Sequence, residues 1–167
     1  MRQVITSERL RSLLDYNQGT GVFTWNSKPS KNICVGSSAG SVNGLGYVIL
    51  GIDGQRLLAH RLAFLHVTGH WPEHCVDHIN GIKSDNRWGN LRDVPRVVNQ
   101  QNLRKAPINS KSGLIGAFPA KDSKQNPWQS SIRIKGERAH LGYFQTKELA
   151  HAAYLEAKRQ HHEGCTI

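Results

Sequence analysis

Apolar positions change their spacing several times along the first half of the chain, and each change indicates another element of secondary structure. Helical spacing after Ser7 predicts a short capped helix over residues 7–16. Hydrophobic runs on both sides of Asp53-Gly54 predict a β-hairpin with a two-residue turn. Helical spacing returns over residues 60–69, and Gly69 predicts where that helix ends.

The second half of the chain contains two groups of short strands, each followed by a helical stretch. The predicted elements are strands at residues 75–79 and 91–94, a helix at 95–105, strands at 114–118, 128–136 and 137–144, and a helix at 147–162. Lys135-Gly136 marks one turn between strands, and Thr146 is a suitable N-cap for the last helix. Helices and strands are therefore mixed in both halves, and the predicted fold class is α+β.

The charge balance narrows the function classes. The chain has 167 residues and a formal net charge of +10. Residues 1–95 carry 10 basic and 7 acidic side chains, whereas residues 96–167 carry 12 basic and 5 acidic ones. A basic excess favours nucleic acid as the partner, because each neutralised phosphate releases a counterion. A solvated surface that keeps the protein soluble is the plain alternative.

Other features exclude a membrane role and a zinc framework. No apolar run approaches the ~18 residues that a membrane span needs, and the charged N-terminus does not resemble a signal peptide. Cys34, Cys75 and Cys165 are too far apart in sequence for a CxxC pair and odd in number for disulfides. We therefore expect a cytoplasmic protein with no membrane partner and no zinc.

Residues 60–99 contain the polar block with the clearest chemical pattern. Its ordered positions are Asp77-His78, Asn80-Gly81, Asn86, Asn90-Leu91 and Asn99. In a strand–loop–strand–helix context, this block resembles the HNH endonucleases, a family of ββα-metal or His-Me finger nucleases. The similarity is to the version found in freestanding phage and intron-encoded enzymes. It implies a small ββα-metal nuclease domain.

The chemistry of phosphodiester hydrolysis fits these residue types. The reaction needs an activated water and a cation on the scissile phosphate. A neutral imidazole such as that of His78 can accept the water's proton at neutral pH. Oxygen donors such as Asp77 and Asn99 suit Mg²⁺, with Mn²⁺ as the alternative. In the family, the positions that match Asp77 and Asn99 hold one divalent ion, the position that matches His78 is the general base, and the one that matches Asn90 braces the loop.

Three further expectations concern the surroundings of this block. Adjacent strand residues point to opposite faces, so Asp77 and His78 can meet one phosphate only where the strand ends. Arg96 shares a helical stripe with Asn99, and we expect it to contact a phosphate beside the metal. His60 opens a segment that also matches the family. We expect it to have a structural role near the site, and a role in positioning DNA is the alternative.

Residues 112–160 resemble the AP2 DNA-binding domain, in which a three-stranded antiparallel sheet packs on one helix. The matching positions are Gly116, Trp128, Ile132-Arg133, residues 141–144 and the alanine-rich stretch 150–154. The resemblance implies double-stranded DNA as the partner, with the strands in the major groove. The chain departs from plant members at Ile115, Phe118 and Ala120, which stand where those members carry arginines.

The two resemblances imply a domain organisation and a set of DNA contacts. A helix and hairpin region at residues 1–58 extends the nuclease domain, the nuclease core covers 59–104, a basic linker covers 105–113, and the AP2-like domain covers 114–167. The hairpin at Asp53-Gly54 either lies in a DNA groove, with Arg56 on a phosphate, or only extends the nuclease sheet. The candidate DNA contacts are all basic: Arg56, Arg96, Arg104, Lys105, Lys111, Arg133, Lys135 and Arg138.

The predicted function is that of an enzyme. We expect a metal-dependent HNH-type endonuclease that hydrolyses double-stranded DNA, by nicking or double-strand cleavage, as a phage homing endonuclease acting in the host cytoplasm. The alternative is a non-catalytic AP2-like DNA-binding regulator in which the ββα block is only scaffold. The choice between monomer and homodimer stays open, because one active site per chain fits nicking by a monomer and a dimer would cut both strands.

Overall fold

A computed structural model describes residues 4–121 and 124–167 of the chain. Contacts within the chain divide it into residues 1–95, the N-terminal unit, and residues 96–167, the C-terminal unit. Both units combine helices with antiparallel strands, which confirms the α+β class. The predicted domain boundaries after residues 58, 104 and 113 stay predictions.

The first helix, α1, covers Ser7–Leu13 and differs from its prediction at both ends. The N-cap is Thr6 rather than Ser7, because the Thr6 hydroxyl accepts a hydrogen bond from the amide of Arg9 at 3.2 Å. The helix ends early because the next residues are extended and pair antiparallel with the following strand. These two strands are β1, Leu14–Asn17, and β2, Val22–Trp25.

The predicted hairpin and the helix behind it are confirmed. Two short strands come first: β3, Ser38–Ala39, and β4, Ser41–Val42. The hairpin strands are β5, Val48–Ile52, and β6, Gln55–Leu58, and the helix is α2, Ala59–Thr68. Asp53 and Gly54 both have positive φ, 47° and 71°, as a two-residue turn of type I′ requires. Gly69 ends α2 in the left-handed conformation.

The core of the N-terminal unit forms where α1 and α2 pack together and against the β5–β6 hairpin. Leu10, Leu50 and Leu62 are fully buried there. Next in the chain come β7, Cys75–His78, a short 3₁₀ helix, Trp88–Asn90, and β8, Leu91–Val94. β7 and β8 pair antiparallel, as predicted, and α2 places His60 in the buried interior.

The C-terminal unit contains the predicted three strands and a long helix. Its elements are α3, Arg96–Gln101, β9, Ala117–Pro119, β10, Trp128–Ile134, β11, Glu137–Phe144, and α4, Lys147–His161. The strand order is β11-β10-β9, and α4 packs on this sheet. Thr146 caps α4 by accepting a hydrogen bond from the amide of Leu149 at 3.2 Å, as predicted. The likeness to AP2 domains stays a prediction.

The two faces of this sheet differ in burial. Along β10, Ser130, Ser131 and Ile132 are buried in succession, because the register with β11 shifts between the two serines, and Arg133 is exposed. On α4, Ala150 and Ala157 are buried, Leu149 is 52% exposed, and the charged Lys158 is buried as well. Lys158 is buried because its Nζ donates a hydrogen bond to the carbonyl of Leu103 at 2.6 Å.

Within the described residues, no helix is long and apolar enough to cross a membrane.

Candidate active site

The end of strand β7 brings the predicted carboxylate and imidazole together. Asp77 and His78 are its last two residues, and both are buried. The chain turns directly after them, because the amide of Gly81 donates a hydrogen bond to the carbonyl of His78 at 2.8 Å and Gly81 has a φ of +73°. The strand therefore ends directly after His78, and the meeting of the two side chains at one phosphate stays a prediction.

An arginine that the sequence reasoning missed holds the Asp77 carboxylate. Arg92 lies directly opposite Asp77 in the β7–β8 pairing. Its Nε and Nη2 lie 2.9 and 2.7 Å from Asp77 Oδ2. A buried carboxylate needs such a partner to offset its loss of hydration. The hairpin register was the signal that could have identified Arg92.

The orientation of the His78 ring is set by Asn86, a motif position to which the sequence reasoning gave no role. His78 Nε2 lies 3.2 Å from Asn86 Oδ1, and Asn86 is 2% exposed. The Asn86 Nδ2 donates a hydrogen bond to the carbonyl of Ser84, which turns Oδ1 toward the imidazole. An acceptor at this place requires the proton on Nε2, so the lone pair of the neutral ring lies on Nδ1.

Burial keeps the His78 imidazole neutral near pH 7. Loss of hydration lowers the pKa of His78 below 6.5, and it outweighs the hydrogen bond to Asn86 and the charges of Asp77 and Asp85, which raise this pKa. A neutral imidazole is the form that accepts a proton from water. The ring therefore has the protonation state that a general base needs.

His60 and Tyr47 pack around the His78 ring. The ring centroids of His60 and His78 are 5.0 Å apart, and Tyr47 lies 5.3 Å from His60. Burial, followed by the charges of His78 and Arg61, lowers the pKa of His60 to about 3. Its Nδ1 is buried and has no hydrogen-bond partner within the described part of the chain. His60 thus adjoins the candidate base as a neutral, space-filling ring.

Asn90 joins the two ends of the loop between β7 and β8. Its Oδ1 accepts a hydrogen bond from the amide of Asn80 at 2.9 Å, and its Nδ2 donates to the carbonyl of Asp85 at 2.7 Å. Asp85 in turn pairs with Arg87 at 2.6 Å. This geometry is what a side chain that braces the loop would need.

Asn99, the second predicted metal ligand, is half-buried on α3 and belongs to the C-terminal unit. Residues near the C-terminus hold α3 in place. Gln101 accepts a hydrogen bond from the amide of Gly164 at 3.0 Å, and a Cβ on Gly164 would lie 2.1 Å from the carbonyl oxygen of Val98. Because Asp77 lies in the other unit, the pairing of Asn99 with Asp77 stays a prediction.

The predicted donors fit a hard divalent ion. Asp77 offers a carboxylate and Asn99 an amide oxygen, and Mg²⁺ typically takes one or two protein oxygens together with water and phosphate. Across residues 4–121 and 124–167, no group of three or more His, Cys, Asp or Glu side chains could hold a metal ion. The buried, Arg92-paired Asp77 is the donor whose position in the N-terminal unit is defined.

The eight predicted DNA contacts are all exposed. Two of them make contacts of their own: Arg104 donates hydrogen bonds to Thr166, and Arg138 donates one to Ser131 Oγ and lies over the Phe118 ring at 5.8 Å. The remaining six are Arg56, Arg96, Lys105, Lys111, Arg133 and Lys135. A side chain must be exposed to contact DNA, but exposure alone does not show that it does, so the eight contacts stay predictions.

The segment that contains the candidate site is similar to known enzymes. Residues 57–101 match the family model described as HNH endonuclease, and this segment includes Asp77, His78, Asn90 and Asn99. Among solved structures, the chain is similar to one described as "DNA binding and cleavage by the HNH homing endonuclease I-HmuI". The similarity has 20% sequence identity and a TM-score of 0.43, and it covers 91% of this chain and 88% of the other. No curated protein matches the chain.

Proposed function

We propose that the chain is a divalent-metal-dependent endonuclease that hydrolyses phosphodiester bonds in double-stranded DNA, as a phage homing endonuclease. The observation that carries the proposal is the buried, neutral His78, whose Nε2 is held by Asn86 at 3.2 Å, beside a carboxylate held by Arg92. His78 and Asp77, which carries this carboxylate, both lie within the segment that matches HNH endonucleases. A general base beside a carboxylate that could hold a divalent ion is an arrangement that metal-assisted phosphodiester hydrolysis can use.

His78 accepts the proton of the attacking water at Nδ1, because Nε2 carries the hydrogen that faces Asn86. Asp77 and Asn99 hold the divalent ion, with Mg²⁺ as the first candidate and Mn²⁺ as the second. When bound, the ion supplies positive charge for the scissile phosphate. Asn90 braces the loop that follows His78, and His60 packs against the ring of the base.

The C-terminal unit holds the enzyme on DNA in this proposal. Arg133 and Arg138 are neighbours on adjacent strands, and both are exposed. An exposed sheet surface with paired arginines suits the major groove, as the resemblance to AP2 domains implies. Lys135 lies at the turn between these strands, and Arg104, Lys105 and Lys111 precede the sheet as backbone contacts. Arg56 and Arg96 complete the proposed contacts.

Nicking of supercoiled plasmid DNA in Mg²⁺ or Mn²⁺ tests the proposal. We expect open circles or linear DNA with the wild-type chain, loss of the product in EDTA, and a loss of at least ~10²-fold in His78→Ala, the range for a missing general base. His70→Ala is the matched control, because His70 is exposed and lies outside the site. Equal cleavage by wild type and His78→Ala would exclude this role of His78. Salt-sensitive DNA binding without cleavage in any divalent ion would instead favour the DNA-binding regulator.

A further inference from the structure

The turn of the β1–β2 hairpin packs directly on the loop that holds His78. The Tyr16 hydroxyl donates a hydrogen bond to the carbonyl of Asn86 at 2.6 Å, and the amide of Trp88 donates one to the carbonyl of Gln18 at 2.9 Å. Gly21 lies so close to the same loop that a Cβ would sit 2.4 Å from the backbone of Asn86 and of the next residue. The contacts therefore converge on residues 86–88, a segment that begins with Asn86, whose side chain contacts His78.

We propose that the β1–β2 hairpin is a positioning element of the active site, in which Tyr16 acts through Asn86 on the imidazole of His78. This inference rests on the proposed function. The hairpin lies outside residues 57–101, so the family match assigns it no role. Tyr16 is a positioning residue, because its contact with the base runs through Asn86.

The hydrogen bonds from Tyr16 to Asn86 and between Asn86 and His78 are buried, and the one from Asn86 to Ser84 is partly buried. The Tyr16 ring is itself buried and packs against Phe23 with ring centroids 4.7 Å apart, so the hydroxyl has little freedom. Its hydrogen bond fixes the peptide group from which the Asn86 side chain extends. The hydrogen bond from Asn86 Nδ2 to Ser84 then fixes which end of the amide faces His78. Without the Tyr16 hydroxyl, the Asn86 carbonyl would lose its buried partner and the loop could shift.

Tyr16→Phe is the direct test, because it keeps the ring and removes only the donor. We expect NMR of the ¹⁵N-labelled His78 ring to show protonated Nε2 in the wild type and a mixture of tautomers in the variant. The rate of nicking should fall about tenfold, since small displacements of a catalytic group are costly. The dissociation constant for DNA should not change. Tyr154→Phe, which removes a tyrosine hydroxyl in the C-terminal unit, is the matched control.

A pair of glycine substitutions tests the same contact from the backbone side. Gly21 and Gly36 both have positive φ, 73° and 84°, so alanine costs similar backbone strain at each. Only Gly21 is crowded by the loop, since nothing lies within 4 Å of a Cβ on Gly36. Gly21→Ala should therefore change the His78 ring spectrum, and Gly36→Ala should leave it as in the wild type.

A double-mutant cycle shows whether Tyr16 acts through Asn86. If it does, Tyr16→Phe should slow nicking in the wild type but have no further effect on Asn86→Ala. Independent, multiplicative losses would overturn the proposed route. Unchanged His78 spectra in both Tyr16→Phe and Gly21→Ala would overturn the inference as a whole.

The spectral readout separates this inference from the proposed function, because it needs no cleavage. A wild-type chain that does not cut DNA, but whose His78 tautomer changes in Tyr16→Phe, would refute the nuclease proposal and support the positioning of His78 by the hairpin. A chain that cuts DNA, with the spectrum and rate of Tyr16→Phe unchanged, would support the nuclease and refute the positioning role.

Discussion

The candidate functional side chains of the two units differ in burial. The N-terminal unit has 10 basic and 7 acidic residues and buries Asp77, His78, Asn86 and Asn90 together. The C-terminal unit has 12 basic and 5 acidic residues, and its candidate DNA contacts are exposed. A buried polar group needs fixed partners, whereas an exposed cation acts through a field that salt screens. Substitutions should therefore have sharp effects in the first unit and graded, salt-dependent effects in the second.

The largest stability effect should come from the buried ion pair. Arg92→Ala removes the cation beside Asp77, whose side chain is 7% exposed, and should lower the free energy of unfolding by about 3 kcal/mol. Arg9→Ala is the control, because Arg9 pairs with Asp53 at the surface and their side chains are 48% and 39% exposed. It should lower the free energy of unfolding by less than about 1 kcal/mol. Denaturant titration at pH 7.5 measures both, and equal losses would contradict the contrast between buried and exposed pairs.

Local signals in the sequence were sufficient for much of the fold. Asp53-Gly54 identified a hairpin, Gly69 the end of α2 and Thr146 the start of α4, because turns and caps depend on a few neighbouring residues. Local spacing failed at β1, whose apolar residues continued the pattern of α1. The short helix gives way there to a strand that pairs with β2, and such pairing is not visible in the spacing.

The candidate site was predictable only in part, for a related reason. The order of Asp77, His78 and Asn90 along the chain was informative, because these residues lie on one hairpin and its loop. The contact from Tyr16 to Asn86 joins residues 70 positions apart. No periodicity or motif links such positions, because packing between distant elements brings them together. The place of Asn99 relative to Asp77 stays a prediction.

Acid should destabilise the N-terminal unit through His60. The pKa of this buried imidazole is lowered from 6.5 to about 3, so below pH 6.5 the unfolded chain takes up a proton that the folded chain does not. Stability is therefore lost as the pH falls, by about 2 kcal/mol between pH 7.5 and pH 5 from this residue. The pKa values of His78 and His66 are also lowered by burial and act in the same direction.

His60→Phe isolates this contribution, because phenylalanine fills the space and does not titrate. Its loss of unfolding free energy between pH 7.5 and pH 5 should be smaller than that of the wild type by about 2 kcal/mol. His70→Ala is the control and should lose as much as the wild type, since the His70 side chain is exposed. Denaturant unfolding at the two pH values measures the difference. The same loss in His60→Phe and wild type would show that His60 does not stay neutral in the fold.

The smallest expected effect on stability lies in the C-terminal unit. There, one substitution should raise the free energy of unfolding and at the same time weaken DNA binding. Arg133 and Arg138 face each other across β10 and β11, and like charges at such positions repel. Arg133→Gln should therefore raise the free energy of unfolding by about 0.5 kcal/mol. It should also weaken DNA binding and reduce the slope of log K against log salt by about 1, as expected for one lost phosphate contact.

Lys28→Gln removes the same charge from an exposed position in the N-terminal unit. It should change neither the free energy of unfolding nor the affinity for DNA and its salt slope. Fluorescence anisotropy with duplex DNA at three salt concentrations, together with denaturant unfolding, measures both effects. If Arg133→Gln and Lys28→Gln reduced affinity and salt slope alike, net charge alone would account for binding. A loss of affinity confined to Arg133→Gln, together with a gain in its free energy of unfolding, would instead show that the two like charges lower stability and contribute to DNA binding.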